Sequence, residues 1–149
     1  MPRALTPGAW AEWRELRLAA LREAPYAFSA KLADWQGAGD TEQRWRDRLG
    51  GASLNLLADF DGRPAGMISG MPAGDSTAEL ISLWVAPFAR GHGLGDELVE
   101  AVLRWAAENR FELVKLQVAE ANRHAVSLYR RHGFVQDGPD VTRLVRRLP

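Results

Sequence analysis

The 149-residue sequence has no cysteine, which excludes disulfides, thiolate metal sites and a cysteine nucleophile together. It has no net charge either: nineteen basic residues balance nineteen acidic ones, so no global field draws the chain onto nucleic acid or an anionic membrane. No apolar run approaches the ~20 residues of a membrane span. The opening Met1-Pro2-Arg3-Ala4-Leu5-Thr6-Pro7 lacks the apolar core of a signal peptide. The expectation is a cytoplasmic protein with no nucleic-acid or membrane partner. His92, His124 and His132 have no i, i+4 partner and no thiolate beside them, so no metal site is expected.

What is present is an ordinary globular composition, 46% hydrophobic and 26% charged, at a length that suits one domain over residues 1–149. Thr6-Pro7 reads as a helix start, with Ala9, Trp13, Leu16 and Ala20 on one stripe until Pro25 breaks it. A short helix is expected from Thr41 to Leu49, stopped by Gly50-Gly51. Leu54 to Phe60 and Pro64 to Met71 form a hairpin around Asp61-Gly62. Residues 78–85 are the strongest strand. After it, Leu94, Leu98, Ala101 and Trp105 mark a helix, 113–119 a strand, and Asn122 to His132 a helix capped by Asn122 and stopped by Gly133. Phe134 to Gln136 and Thr142 to Leu148 close the chain as strands. Helices and strands alternate in the second half, so the fold class is mixed α/β (α+β) with a central sheet.

The segment Arg90-Gly91-His92-Gly93-Leu94-Gly95 sits between a strand and a helix. A helix N-terminus leaves its first amides unpaired and carries about half a positive charge, and glycines let a pyrophosphate rest on those amides. The same glycines would also serve a plain turn that needs positive φ. Other phosphate motifs fail. There is no Walker sequence, and the two dinucleotide registers would need glycine at Asp96 or Leu98. Ser69 in Gly66-Met67-Ile68-Ser69-Gly70 stands one place late for a nucleophile elbow.

Arg90 to Gly95 resembles the GNAT acetyltransferase signature [QR]-x-x-G-x-[GA]. Asn122-Arg123-His124-Ala125-Val126-Ser127-Leu128-Tyr129-Arg130-Arg131-His132-Gly133-Phe134 resembles the second, N-x-x-A-x-x-x-Y-x-x-x-G-F, at every specified position. The motif-bearing part covers residues 78–134. The resemblance implies a mostly antiparallel sheet flanked by helices, with strands 78–85 and 113–119 splayed into a V that holds acetyl-CoA. The pantetheine arm would pair with the backbone of Leu83, Trp84 and Val85, and the pyrophosphate would sit on the amides of Gly91, His92, Gly93, Leu94, Gly95 and Asp96. Asn122 would bond the pantetheine arm. Arg90 and Arg130 would either reach phosphate oxygens or stay solvated.

The resemblance also implies the chemistry, acetyl transfer to an amine by direct attack. Tyr129 would be the general acid for the leaving thiolate, where residue pattern alone would equally allow a core tyrosine. Glu79 is the candidate base. Period-2 alternation puts Glu79, Ile81, Leu83 and Val85 on one face with Glu79 its only charge, and histone-acetylating relatives carry a glutamate there. A water relay or an exposed strand-edge role remains open for it. The acceptor is a small-molecule or peptide amine. Asp34, Trp35, Asp137, Asp140 and Phe28 around the acceptor side would suit a cationic primary amine, or form turn caps and surface. The competing function is a coenzyme A-binding regulatory module with weak catalysis. A homodimer is common in the family and stays open.

Overall fold

The computed structural model describes residues 2–28 and 30–149; Met1 and Ser29 lie outside the described residues. It opens with a strand too short for alternation to signal, β1 (Arg3–Ala4), which pairs with the middle of β2. Pro7 then fixes a single 3-10 turn, Pro7–Ala9, ahead of α1 (Trp10–Glu23). Thr6 serves this start through its carbonyl, which accepts from the Ala9 N–H at 2.9 Å. Its hydroxyl makes no cap bond, contrary to the expected side-chain cap. Trp13, Leu16 and Ala20 are buried as the stripe requires, and Arg17 is buried among them.

In α2 (Glu42–Gly50), Thr41 does cap, its hydroxyl accepting from the Arg44 N–H at 3.3 Å. Asp40 joins the two helices by accepting from Arg14 and from the Trp45 indole, with its pKa held down at about 2 by those hydrogen bonds. The hairpin β2 (Leu54–Phe60) and β3 (Arg63–Pro72) turns on Asp61 and Gly62, both at positive φ, which is why a short polar residue and a glycine stand there. β4 (Thr77–Val85) follows, then α3 (Leu94–Glu108), β5 (Leu113–Gln117), α4 (Arg123–Arg131), β6 (Val135–Gln136) and β7 (Arg143–Arg147).

The seven strands form one sheet in the order β1-β2-β3-β4-β5-β7-β6, antiparallel at every pairing except β4 with β5. Each face carries its own core. On one, Leu98 and Val102 of α3, Tyr129 of α4 and Phe134 just after it pack against Ile68, Leu80, Val114 and Leu144. On the other, α1 and α2 pack Trp13, Leu16, Trp45 and Leu49 against Leu57, Met67 and Trp84.

Three expectations shift. α3 buries Leu94, Leu98, Val99, Val102, Leu103 and Ala106, while Ala101 and Trp105 are only half-buried. The helix covers a wide sheet, so its apolar face exceeds one four-residue stripe. Trp105 roofs Gly70 of β3, where an added Cβ would stand 2.9 Å from the indole. The closing strands are shorter than the sequence suggested, and β5 ends at Gln117 because the chain beyond Val118 turns toward α4.

Candidate active site

β4 and β5 pair only at Thr77↔Leu113, Ala78↔Val114 and Glu79↔Lys115. Beyond these rungs the strands separate, and the β4 edge from 80 to 85 has no strand beside it. The cause lies within β4. Met67 pairs with Trp84 and Ser69 with Ile81, so Ser82 and Leu83 together face Ile68 in a bulge, with Ser82 at φ +63°. The bulge bends β4 away from β5 and reverses its alternation. Ala78 and Leu80 belong to the core under α3, and Leu83 and Val85 pack against that same core. Trp84 joins the core under α1. Glu79 and Ile81 therefore point to the face opposite Leu83 and Val85, not to a shared one. Uniform period-2 alternation cannot cross a bulge.

At the mouth of the V, Gly91 and Gly93 adopt φ +83° and +81°, and a Cβ on either would meet nothing within 4 Å. Among the described residues, the amides of 91–96 donate to no protein acceptor. The first satisfied amide is that of Glu97, to the Gly93 carbonyl at 3.0 Å. Gly95 is glycine for another reason, since its Cβ would press on Leu128 of α4 at 3.0 Å. Asp96 is half-exposed. Burial opposes its ionisation, but hydrogen bonds from His132 and Arg131 outweigh that and hold its carboxyl below the usual carboxylate range.

The open β4 edge and the glycine turn line one cavity of about 660 Å³, closed on the far side by α4 and by the end of α1. That volume lies within the usual range for a small-molecule site, ~300–1,000 Å³. Leu83, Trp84, Val85, Arg90, Gly91, Gly93, Leu94, Gly95, Asp96 and Asn122 all line it. His92 does not; its ring packs on Phe60 with centroids 4.5 Å apart. Asn122 precedes α4 without capping it by its side chain, so the expected cap gives way to a carboxamide at the cavity wall. Arg90 is tied back, donating to the Val85 carbonyl at 3.0 Å and to Glu23, which also accepts from the Trp84 indole. Arg130 is exposed.

Tyr129 follows Leu128, a cavity residue, on α4. It is buried at 6% exposure, with Phe134 edge-on at 5.7 Å between centroids. Burial pushes its phenol above the usual value, so it stays protonated. Its hydroxyl has no hydrogen-bond partner among the described residues. Glu79 is half-buried on the other face, at the last rung before the V opens. Neither residue lines the cavity directly. Among the described residues no three His, Cys, Asp or Glu side chains could hold a metal ion, and no helix is long and apolar enough to cross a membrane.

The family model described as "Acetyltransferase (GNAT) family" matches residues 10–134. The chain belongs to the GNAT acetyltransferase family. It is 33% identical over 144 residues to a mycothiol acetyltransferase of Salinispora tropica, covering 90% of this chain and 44% of that protein. It is 32% identical over 116 residues to the uncharacterized N-acetyltransferase YhfO of Bacillus subtilis, covering 74% and 76%. The chain thus spans less than half the length of that mycothiol enzyme. Its fold is also that of the PaiA N-acetyltransferase from Thermoplasma acidophilum solved with coenzyme A, at TM-score 0.79 and 17% identity over 99% of this chain and 98% of that one.

Within this GNAT chain, the acids expected around the acceptor side stand elsewhere. Asp140 caps Thr142, Asp34 and Asp137 are exposed, and Trp35 stacks on Trp45 with Arg44 over its ring. Sequence reasoning missed Glu23, which anchors Arg90, and Tyr26 and Ala27, which wall the cavity. It also missed Arg17, whose signal was there: a charge in the middle of the apolar stripe from Trp13 to Leu21.

Proposed function

We propose that the chain is an acetyl-CoA-dependent N-acetyltransferase that acts on a small-molecule or peptide amine by direct attack in a ternary complex. The observation that carries this reading is one cavity containing both an unpaired strand edge and a run of unpaired amides at a helix N-terminus. An extended amide-bearing arm suits the first, and a pyrophosphate the second. A single domain over 1–149 is supported by one sheet with a core on each face, and a cytoplasmic setting by the cysteine-free sequence.

Acetyl-CoA supplies the activated acyl group. The amine nitrogen bonds the acyl carbon, the carbon–sulfur bond breaks, and one proton leaves the amine while one reaches the sulfur. A backbone N–H among Leu83 to Val85 stabilises the charge that builds on the carbonyl oxygen. Tyr129 donates its phenolic proton to the departing sulfur. Its raised pKa makes it a weaker acid than free phenol, but the apolar walls that raise it also raise the basicity of a thiolate expelled beside it. The donor therefore remains protonated beyond the ordinary tyrosine range, and no alkaline loss of rate from Tyr129 is expected near pH 10.

An alkyl amine of pKa ~10.4 is under 1% neutral at pH 7, so removal of its proton needs help. Glu79, at the apex of the V and on the face opposite Tyr129, is the proposed base, directly or through water. Glu79→Gln should remove the low-pKa dependence on the acidic limb of the kcat/KM profile and leave acetyl-CoA binding unchanged. A profile identical to the parent's would return Glu79 to an ordinary place on the strand. The function itself is tested by coenzyme A release from acetyl-CoA across a panel of amines. Strong coenzyme A binding with no transfer to any amine would favour a regulatory module instead.

A further inference from the structure

On the sheet face covered by α1 and α2, Arg17 of α1 is buried and Arg48 of α2 half-buried, and among the described residues neither pairs with a carboxylate. Arg17 is 8% exposed and its Nη1 is buried with no hydrogen-bond partner. Its guanidinium lies over the Phe28 ring, 4.5 Å from the centroid. Burial, with the neighbouring charge of Arg48 acting in the same direction, lowers its pKa to about 10. Arg48 lies over Trp13 and donates to Asn55 Oδ1, Ser69 Oγ and Ser82 Oγ, each at 3.2 Å, all neutral acceptors. A buried cation normally has an anion beside it, because desolvating a charge without a partner costs several kcal/mol. Among the described residues neither Arg17 nor Arg48 is paired with a carboxylate.

The position of the pair gives that cost a use. Ser82, which holds Arg48, is the strained bulge residue of β4, and the next residue, Leu83, lines the cavity. Phe28, which covers Arg17, follows directly on Tyr26 and Ala27 of the cavity wall. Within that wall the backbone is held by little more than the Ala27 N–H to the Ala24 carbonyl at 3.0 Å. The two guanidiniums thus stand behind the point where the open strand edge begins, on the same face as Glu79.

We propose that Arg17 and Arg48 form an acceptor subsite for a carboxylate, so that the amine acetylated by this protein carries a carboxylate of its own, as a free amino acid or a peptide C-terminus does. A planar monoanion with two oxygens matches one guanidinium from each side. The proposal rests on the acetyl-transfer reading for the reaction but not for the binding. It differs from the cationic acceptor anticipated from Asp34, Asp137 and Asp140.

Two readouts test it. In the first, thermal unfolding is followed with N-acetyl amino acids, their C-terminal amides and their phosphonate counterparts. In the second, kcat/KM is measured for a panel of free amino acids and the matching carboxamides. Carboxylates should raise Tm where the amides do not, and should exceed the amides ~10²-fold in kcat/KM. Arg17→Met should erase both differences while leaving the acetyl-CoA-induced shift intact. Without ligand it should unfold at a higher temperature than the parent, since it removes a buried unpaired charge. Parent protein that accepts carboxamides as readily as carboxylates overturns the subsite and leaves acetyl transfer standing. Carboxylate binding that Arg17→Met removes, with no acetyl transfer to any amine, upholds the subsite and overturns the reaction. Tighter binding of phosphonates overturns the carboxylate assignment. An Arg17→Met protein of lowered Tm that keeps the preference makes Arg17 a packing residue only.

Discussion

Gly93→Glu should abolish the stabilisation of the protein by acetyl-CoA. In the parent, a ligand at a hundredfold excess over Kd adds about 2.7 kcal/mol, a shift of roughly 5–10 °C in Tm for a domain of this size. The substitution acts twice. At φ +81° any side chain costs about 1–2 kcal/mol of backbone strain, and the new carboxylate projects into open space over the unpaired amides of 91–96. Charge and strain are separated by Gly93→Ala, which keeps the strain and leaves out the charge. It should lower the unliganded Tm like the glutamate variant but retain part of the acetyl-CoA shift. An undiminished shift in Gly93→Glu would remove the glycine turn from the binding site.

The second large effect is expected at Tyr129. Tyr129→Phe should reduce kcat ~10²-fold or more with acetyl-CoA affinity nearly unchanged, because only proton donation in the transition state is lost. The ring keeps its place against Phe134, and the hydroxyl gives up no hydrogen bond among the described residues. Stability should therefore hold or rise slightly. Full activity in the phenylalanine variant would assign the proton to water and leave Tyr129 as core. A fall in Tm with activity preserved would point the same way.

The strands and helices were legible because each carries its own punctuation. Asp61-Gly62 predicted a turn, which forms with two positive φ angles, and Gly133 a helix stop, which forms at φ +86°. The cavity lining was legible for a different reason. Backbone amides do the proposed binding, and glycine spacing reports backbone directly. What could not be read came from tertiary geometry. The bulge at Ser82 depends on a register shift against β3, so no local pattern announces it, and it reversed the face assigned to Leu83 and Val85. Asn122 looked like a cap because asparagine usually caps, yet its side chain makes no cap bond. The ring of His92 packs on Phe60, a contact that the motif does not signal. Arg17 was overlooked because an arginine on a helix is ordinarily solvated. Its burial comes from the packing of α1 on the sheet, which its place in the apolar stripe signals.

The most direct test of the account is a crystal structure with acetyl-CoA bound. The expected result is the pantetheine arm along the open β4 edge at 83–85, the pyrophosphate on the amides of 91–96, and the thioester sulfur within hydrogen-bond reach of the Tyr129 hydroxyl. Acetyl-CoA bound away from the V, or a sulfur remote from Tyr129, would contradict it.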